Sequence, residues 1–391
     1  MSYEISKSLR LQNCTLSHNL EIDYIVIKFQ TMLTVHPDIA KAQTISTDFY
    51  LKPEYLELSK ENIFANTWQC IGDVDQVKEA GWVTPVNLLE NYINEPLLLS
   101  SDKQGEIHCL SNVCTHRGNL LVERLCKLND IRCKYHGRRF QLDGKFTFMP
   151  EFKEVEDFPT ENDNLTKLPL FQFGKWLFTS LNPKHPAEDF FKEMIDRVGW
   201  MPFNDFHFRP ELSKEYKVKA HWALYCENYL EGFHIPFVHA GLNSIIDYGN
   251  YTTELFKYSS LQLGLAKEGG NEICFDLPPT SPDYGKRVAG YYFWVFPNMM
   301  FNFYPWGLSI NIVKPTGQSS CNVSFLSYVW NENNLRIGAG ANLHQVEMED
   351  EDVVEHVQKG IRSRFYNHGR YSVKMEKGTH HFHRLIAQFL S

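Results

Sequence analysis

Two short segments constrain this chain more than any hydrophobic pattern does. Cys114-Thr-His116 and Cys133-Lys-Tyr-His136 are separated by sixteen residues, and each contributes one thiol and one imidazole. Four such ligands can bind one centre only if two loops are brought tip to tip, and that fixes the path of the chain between them. A Cys2His2 zinc site is the competing reading. Zinc sites of that kind normally place the Cys pair ahead of the His pair, whereas here each loop carries one ligand of each type. Gly118 and Gly137 follow the histidines, where backbone must bend closely around whatever the loops hold.

Interleaved thiolate and imidazole is the donor set of a Rieske [2Fe–2S] cluster, with two Cys on one iron and two His on the other. Cys114, His116, Cys133 and His136 are therefore the candidate cluster ligands. Cys109 and Cys126 lie outside the pattern and read as small buried residues or free thiols.

About a hundred positions later the segment from His221 to His239 reads as a helix carrying Glu231, His234 and His239. A spacing of five puts two histidines about 140° apart on a regular helix. Pro236 lies between them and disrupts the ladder, so that both imidazoles can face one point. Two His with one carboxylate leave open positions for oxygen, as in non-haem Fe(II) oxygenases. The acid has to come from elsewhere. The run Glu347-Met-Glu349-Asp350-Glu351-Asp352 precedes Val353, Val354, Val357 and Ile361, a helical apolar stripe. On a helical wheel Asp350 falls within that stripe and Asp352 opposite it; Glu347 is the runner-up, and Glu349, Glu351 and Asp352 suit a solvated face. Glu231 stands one turn before His234, like the Glu-x-x-His pairs of di-iron bundles. Such sites need two pairs, and none of the other fifteen His has an acid three residues before it. Orienting His234 is the better role for Glu231.

The chain has 391 residues, enough for two cores, and 43% hydrophobic content to fill them. A net charge of −8 without long basic runs argues against nucleic acid and anionic membrane as partners, and for a small organic substrate. Nine scattered Cys favour a reducing compartment, and the cytoplasm is the expected address. No signal peptide or membrane span is expected. Residues 1–45 read as an N-terminal arm without fixed structure. Residues 46–182 read as a β domain with its core at about 68–182, ended by Pro183 and Pro186, and 183–391 as a second domain. In the latter, strands at 215–219, 291–296, 300–304, 309–313 and 322–330 alternate with helices at 221–239 and 345–365. The fold class is α+β. Gly338-Ala-Gly340 lacks the third glycine of a dinucleotide fingerprint and any βαβ setting, so the electrons come from another protein.

With both signatures in this order, the chain from about residue 46 onward resembles the α subunits of Rieske non-haem iron ring-hydroxylating oxygenases. The segment Glu227-Asn228-Tyr-Leu-Glu231, the stretch 291–302 and the tail from Gly369 to His383 are most similar to the choline monooxygenase and glycine-betaine oxygenase branch. The resemblance implies a Rieske β domain followed by a helix-grip catalytic domain. It also implies one [2Fe–2S] cluster and one mononuclear Fe(II) held by His234, His239 and Asp350. Glu231 and Asn228 are the expected catalytic residues, with Glu231 linking the iron site to His136 of the partner subunit in a head-to-tail homotrimer. Electrons from NAD(P)H arrive through a reductase or ferredoxin, and O2 is the co-substrate. Arg138 and Lys134 depart from the family, which often has Trp and Pro there.

The first-choice reaction is hydroxylation or N-demethylation of a quaternary ammonium compound. Tyr292, Trp294, Phe301, Phe303, Tyr304 and Trp306 are candidates for a cation–π cage, against the plainer reading that most are strand core. Hydroxylation of an aromatic ring is the second reading. A third, of another class, is a non-catalytic Rieske electron carrier fused to a ligand-binding domain.

Overall fold

The computed structural model describes residues 33–239, 252–267, 269–270, 272–335, 337 and 343–391. Two short helices, α1 (Asp48–Leu51) and α2 (Pro53–Ser59), lead into a first all-β unit. Its main sheet has the order β5-β2-β3-β4-β9, built from β2 (Trp82–Leu88), β3 (Glu95–Ser101), β4 (Ile107–Ser111), β5 (Cys126–Lys127) and β9 (Lys167–Leu168). A three-stranded sheet joins β1 (Gln69–Asp73), β11 (Trp176–Thr179) and β10 (Leu170–Phe173). Another joins β6 (Ile131–Arg132), β7 (Arg139–Phe140) and β8 (Phe146–Phe148).

Alternation along β3 explains how this unit carries its loops. Leu97 and Leu99 point into the large core of the molecule, while Leu98 points the other way into a small core with Val83, Leu110, Ile131 and Phe140. Cys114 and Cys133 belong to that small core. The loops are thus anchored by buried thiols at one end of a strand sandwich.

The second unit begins after helix α3 (Glu188–Val198) and is an antiparallel sheet of eight strands. Its order is β12-β19-β18-β17-β16-β15-β14, with β13 also pairing β19. The ranges are β12 His207–Phe208, β13 Lys214–Val218, β14 Thr252–Leu255, β15 Ser259–Leu265, β16 Val288–Val295, β17 Met299–Tyr304, β18 Gly307–Gly317 and β19 Ser320–Val329. Helices α4 (Trp222–Tyr229), α5 (Ile235–Val238), α6 (Leu343–Gly360) and α7 (Lys377–Phe389) cover one face. The other face meets the first unit, where Phe178 lies 6.1 Å from Phe301 and Phe203 lies 6.2 Å from Phe303, centroid to centroid. Covering both faces makes β16 to β18 read as nearly unbroken apolar runs. The α+β class and the five strands read from sequence correspond to these elements.

Three expectations change. The helix over 221–239 is two helices, because the chain leaves α4 at Leu230 and restarts with Pro236 inside the first turn of α5, where its missing N–H costs nothing. Residues 33–45 are not a loose arm. Leu33, Ala42 and Ile45 are buried, Thr44 N donates to Gly369 O at 3.1 Å, and the Arg370 guanidinium donates to Ala42 O at 2.9 Å. Residues 1–32 and the Gly338–Gly340 segment lie outside the described residues. Finally, α1 and the π turn that follows α2, grouped with the first domain from sequence, pack on the second: Phe49 is 5.1 Å from His221, and Phe64 of the π turn is 4.9 Å from Trp222.

Candidate functional site

The two Cys/His loops are built alike. In the first, Gly118 N donates to Cys114 O at 3.0 Å; in the second, Gly137 N donates to Cys133 O at 3.1 Å. Each glycine closes its turn at positive φ, 70° and 75°, where a Cβ is disfavoured. The result places the His116 and His136 rings 4.9 Å apart at 75°, above the two buried thiols. Burial raises the Cys114 thiol above its ordinary range, and Cys133 beside it adds to the rise. Nδ1 of His136 is buried without a hydrogen-bond partner among the described residues. A nitrogen lone pair left free beside two thiols fits a metal cluster and has no other evident use.

Arg138 is buried to 2% exposure behind these loops. Its guanidinium lies 4.8 to 5.7 Å from the rings of Phe146, Phe158 and Phe140 and pairs with Asp163 at 2.6 Å. Asp163 O also accepts from Thr115 Oγ1 at 2.8 Å, which ties this pair to the first loop. Lys134, the other departure, is exposed and reaches Glu123 at 3.0 Å.

The second centre forms where α4, α5 and α6 meet. His234 sits at the N-cap of α5 and His239 at its C-cap, so the four-residue helix between them turns both rings inward. Nε2 of His239 lies 3.0 Å and Nε2 of His234 3.5 Å from the same oxygen, Oδ1 of Asp350. One ligand atom from each of the three falls within 4.8 Å of the others. Each outer nitrogen is held by an acid: Nδ1 of His234 by Glu231 at 2.7 Å, and Nδ1 of His239 by Glu349 at 2.7 Å. Donation from Nδ1 leaves the Nε2 lone pairs free for a metal. Burial pulls the His239 pKa down, but the Asp350 and Glu349 carboxylates outweigh it and raise it overall. Two imidazoles and a carboxylate with three open positions suit a divalent iron.

Sequence reasoning assigned Glu349 to solvent, yet its long side chain reaches His239, and Val357 from the expected stripe is exposed at 42%. Glu347, the runner-up acid, is outside the convergent trio: its Oε2 accepts from Tyr225 at 2.5 Å. Helix direction finds the inward acid but not the reach of its neighbours.

A cavity of about 130 Å³ opens beside the trio, and Asn228 lines it. Its floor is the helix-covered sheet face, where Gln262, Tyr292, Asn302 and Ser309 form one cross-strand row. Room for the Tyr292 ring comes from paired glycines, since a Cβ would approach it to 2.8 Å at Gly264 and 2.9 Å at Gly290. Of the six cage candidates only Tyr292 and Tyr304 line the cavity. Trp294, Phe301 and Phe303 are fully buried core, and Trp306 stacks behind Tyr304 at 5.3 Å. A further cluster, Asp102, Glu106 and His108, closes a hairpin turn: Asp102 accepts from the amides of Gln104 and Glu106 and bonds to His108.

Known proteins place this architecture. The family model for the ring hydroxylating alpha subunit catalytic domain matches residues 207–391, and that for the Rieske [2Fe-2S] domain matches residues 67–159. Choline monooxygenase of Beta vulgaris is 28% identical, the match covering 88% of this chain and 76% of that protein. The carnitine monooxygenase oxygenase subunit of Escherichia coli (strain K12) is 26% identical over 89% of this chain and 94% of that protein. In fold, the structure of a quaternary ammonium Rieske monooxygenase matches with a TM-score of 0.73 at 24% identity, covering 91% of this chain and 97% of the other. With both domain models matched in order and an iron-type donor set in the second domain, the electron-carrier reading falls away. The chain belongs to the Rieske non-haem iron oxygenases, as an α subunit with a Rieske [2Fe–2S] cluster, a mononuclear iron and O2 as co-substrate.

Proposed function

We propose that this chain is the oxygenase component that hydroxylates or N-demethylates a small quaternary ammonium compound, with electrons delivered by a separate NAD(P)H-dependent reductase or ferredoxin. The observation that carries the substrate class is the cavity wall. It holds the acids Glu231, Glu347 and Asp350 and the rings of Tyr225, Tyr229, Tyr292, Tyr304 and Phe325, but no Lys or Arg among the described residues. Acid and aromatic faces together favour an organic cation, each cation–π contact contributing about 0.5–2 kcal/mol. The carboxamides of Asn228, Gln262, Asn302 and Asn311 suit a neutral polar tail. The relatives named for choline and carnitine agree with this class.

When bound, the cluster (Cys114, His116, Cys133, His136) and the iron (His234, His239, Asp350) supply the electron and the oxygen chemistry. The chain's own part is positional. Glu231 and Glu349 hold the Nδ1 protons and so aim both imidazoles. Asn302 is fixed by the Tyr229 hydroxyl at 2.7 Å, which keeps its amide directed along the sheet floor.

We further assign a cytoplasmic, head-to-tail homotrimer, with a Rieske domain whose core is about 68–182, a catalytic domain at 183–391, and Glu231 facing His136 of the partner subunit. Exposed apolar groups flank both centres and support such docking: Phe233 and Phe237 beside Glu231, and Tyr135 beside His136. No described helix is long and apolar enough to cross a membrane.

A turnover screen with a reconstituted reductase tests the reading. Formaldehyde or a hydroxylated product is expected from choline, carnitine or glycine betaine. A cis-diol from arenes, with no product from the cations, would establish the aromatic-ring alternative instead. Metal analysis of the same preparation is expected to give about three Fe per chain, and about two would remove the mononuclear site.

A further inference from the structure

Glu347 is a buried carboxyl with an incomplete set of partners. It is 3% exposed, on the inner side of α6, and it lines the cavity. Oε2 accepts from the Tyr225 hydroxyl, but Oε1 is buried and has no hydrogen-bond partner among the described residues. No Lys, Arg or His is paired with it there, whereas the other acids of this site are spoken for: Glu231 and Glu349 hold imidazoles, and Asp350 meets both Nε2 atoms. Burial pushes its carboxyl up to about 8 against the Tyr225 hydrogen bond, with Asp350 and Glu351 adding to the rise. At neutral pH such a group keeps its proton until a positive charge is brought beside it. An unbalanced buried carboxyl is costly unless something else supplies the opposite charge.

We propose that Glu347 is the counter-charge that seats the cationic head of the substrate, in a cavity whose tyrosines supply the ring faces. The inference rests on the quaternary ammonium reading above and names the group that enforces it. Tyr225 has a positioning role: its hydroxyl fixes Oε2 and leaves Oε1 as the oxygen without a hydrogen bond among the described residues. Gln262, also buried, has an unpartnered Oε1 and offers a second oxygen to the polarised methyl groups of such a head. The seat discriminates by charge rather than by shape, because a neutral head of equal volume gains the packing but leaves the carboxyl unpaired.

The test compares choline with 3,3-dimethylbutan-1-ol, which replaces the nitrogen by carbon at constant shape. Binding to the iron-loaded enzyme is measured by calorimetry under nitrogen. Wild type is expected to prefer the cation by about tenfold or more. Glu347→Gln, which keeps the volume and the Tyr225 contact, is expected to lose that preference while binding the alcohol as wild type does. Glu347→Asp, which keeps the charge, retains most of it. An unchanged cluster spectrum certifies each variant as folded. Equal binding of the two probes by wild type, or a preference that survives in Glu347→Gln, overturns the seat while turnover of cations leaves the substrate class standing. If wild type binds none of choline, glycine betaine and L-carnitine, the substrate class and the seat fall together.

Discussion

Glu231 ties up one turn with both of its oxygens: Oε1 bonds to His234 Nδ1, and Oε2 accepts from the amides of Phe233 and His234. Loss of such an outer partner typically weakens a metal site by about 10–100-fold. Glu231→Ala is therefore expected to keep the visible spectrum of the Rieske cluster, to lower iron content at limiting iron, and to remain inactive after iron is restored in excess. Normal coupled turnover in the restored variant would remove its bridging role. Arg138 is a different kind of residue, a buried charge held by Asp163 and three phenylalanine rings. Arg138→Gln should destabilise the first unit by about 2–4 kcal/mol, because it leaves the carboxylate with Thr160 but without its cationic partner. The loss would be read as an earlier thermal transition at the cluster absorbance. The sequence made the Cys and His positions legible because ligand chemistry tolerates few alternatives. It did not reveal Glu349, whose role depends on a long side chain reaching sideways off α6.

At the scale of elements, α4 shows what a helical pattern conceals. Periodicity ran from 221 to 239, yet hydrogen bonding stops at Leu230, since Gly232 and Pro236 favour a restart over a continued ladder. The two readings bring the same histidines together by different backbones, so residue spacing was legible and path was not. The beginning of α4 is set by His221, whose Nδ1 accepts from Ala223 N at 3.3 Å. Burial lowers this imidazole to about 3, so the folded state keeps it neutral while the unfolded chain protonates it near 6.5. The unfolded state binds the extra proton between these values, so stability falls as pH drops from about 6.5 toward 3. The loss is about 1–2 kcal/mol by pH 5. His221→Asn keeps an N-cap acceptor and cannot titrate. It is expected to flatten the slope of thermal midpoint against pH between 5 and 7, at some cost in packing against Phe49 and Tyr50. An unchanged slope would assign the acid sensitivity to other groups.

For the whole molecule, the core itself is continuous. Leu97 and Leu99 of the first unit and Phe293, Phe301 and Phe303 of the second belong to one buried cluster. Composition foretold two units but not their fusion, because either face of a fully apolar strand could be the solvent side until something covers it. This rigid mounting fixes the two metal centres of one chain relative to each other, and electron delivery then depends on which centres are near. In a head-to-tail ring each cluster serves the iron site of the next subunit, a heterologous contact repeated by rotation. Subunit mixing separates this from delivery within one chain. Glu231→Ala subunits keep the cluster, and His136→Ala subunits keep an intact iron site; each homo-oligomer alone should be inactive. Co-expressed at equal amounts, they create interfaces in which an intact cluster faces an intact iron site at roughly one in four positions. Activity is expected to recover to about a quarter of wild type, with iron content and oligomer size checked on the same sample. Delivery within one chain predicts no recovery, since every chain then carries one broken partner.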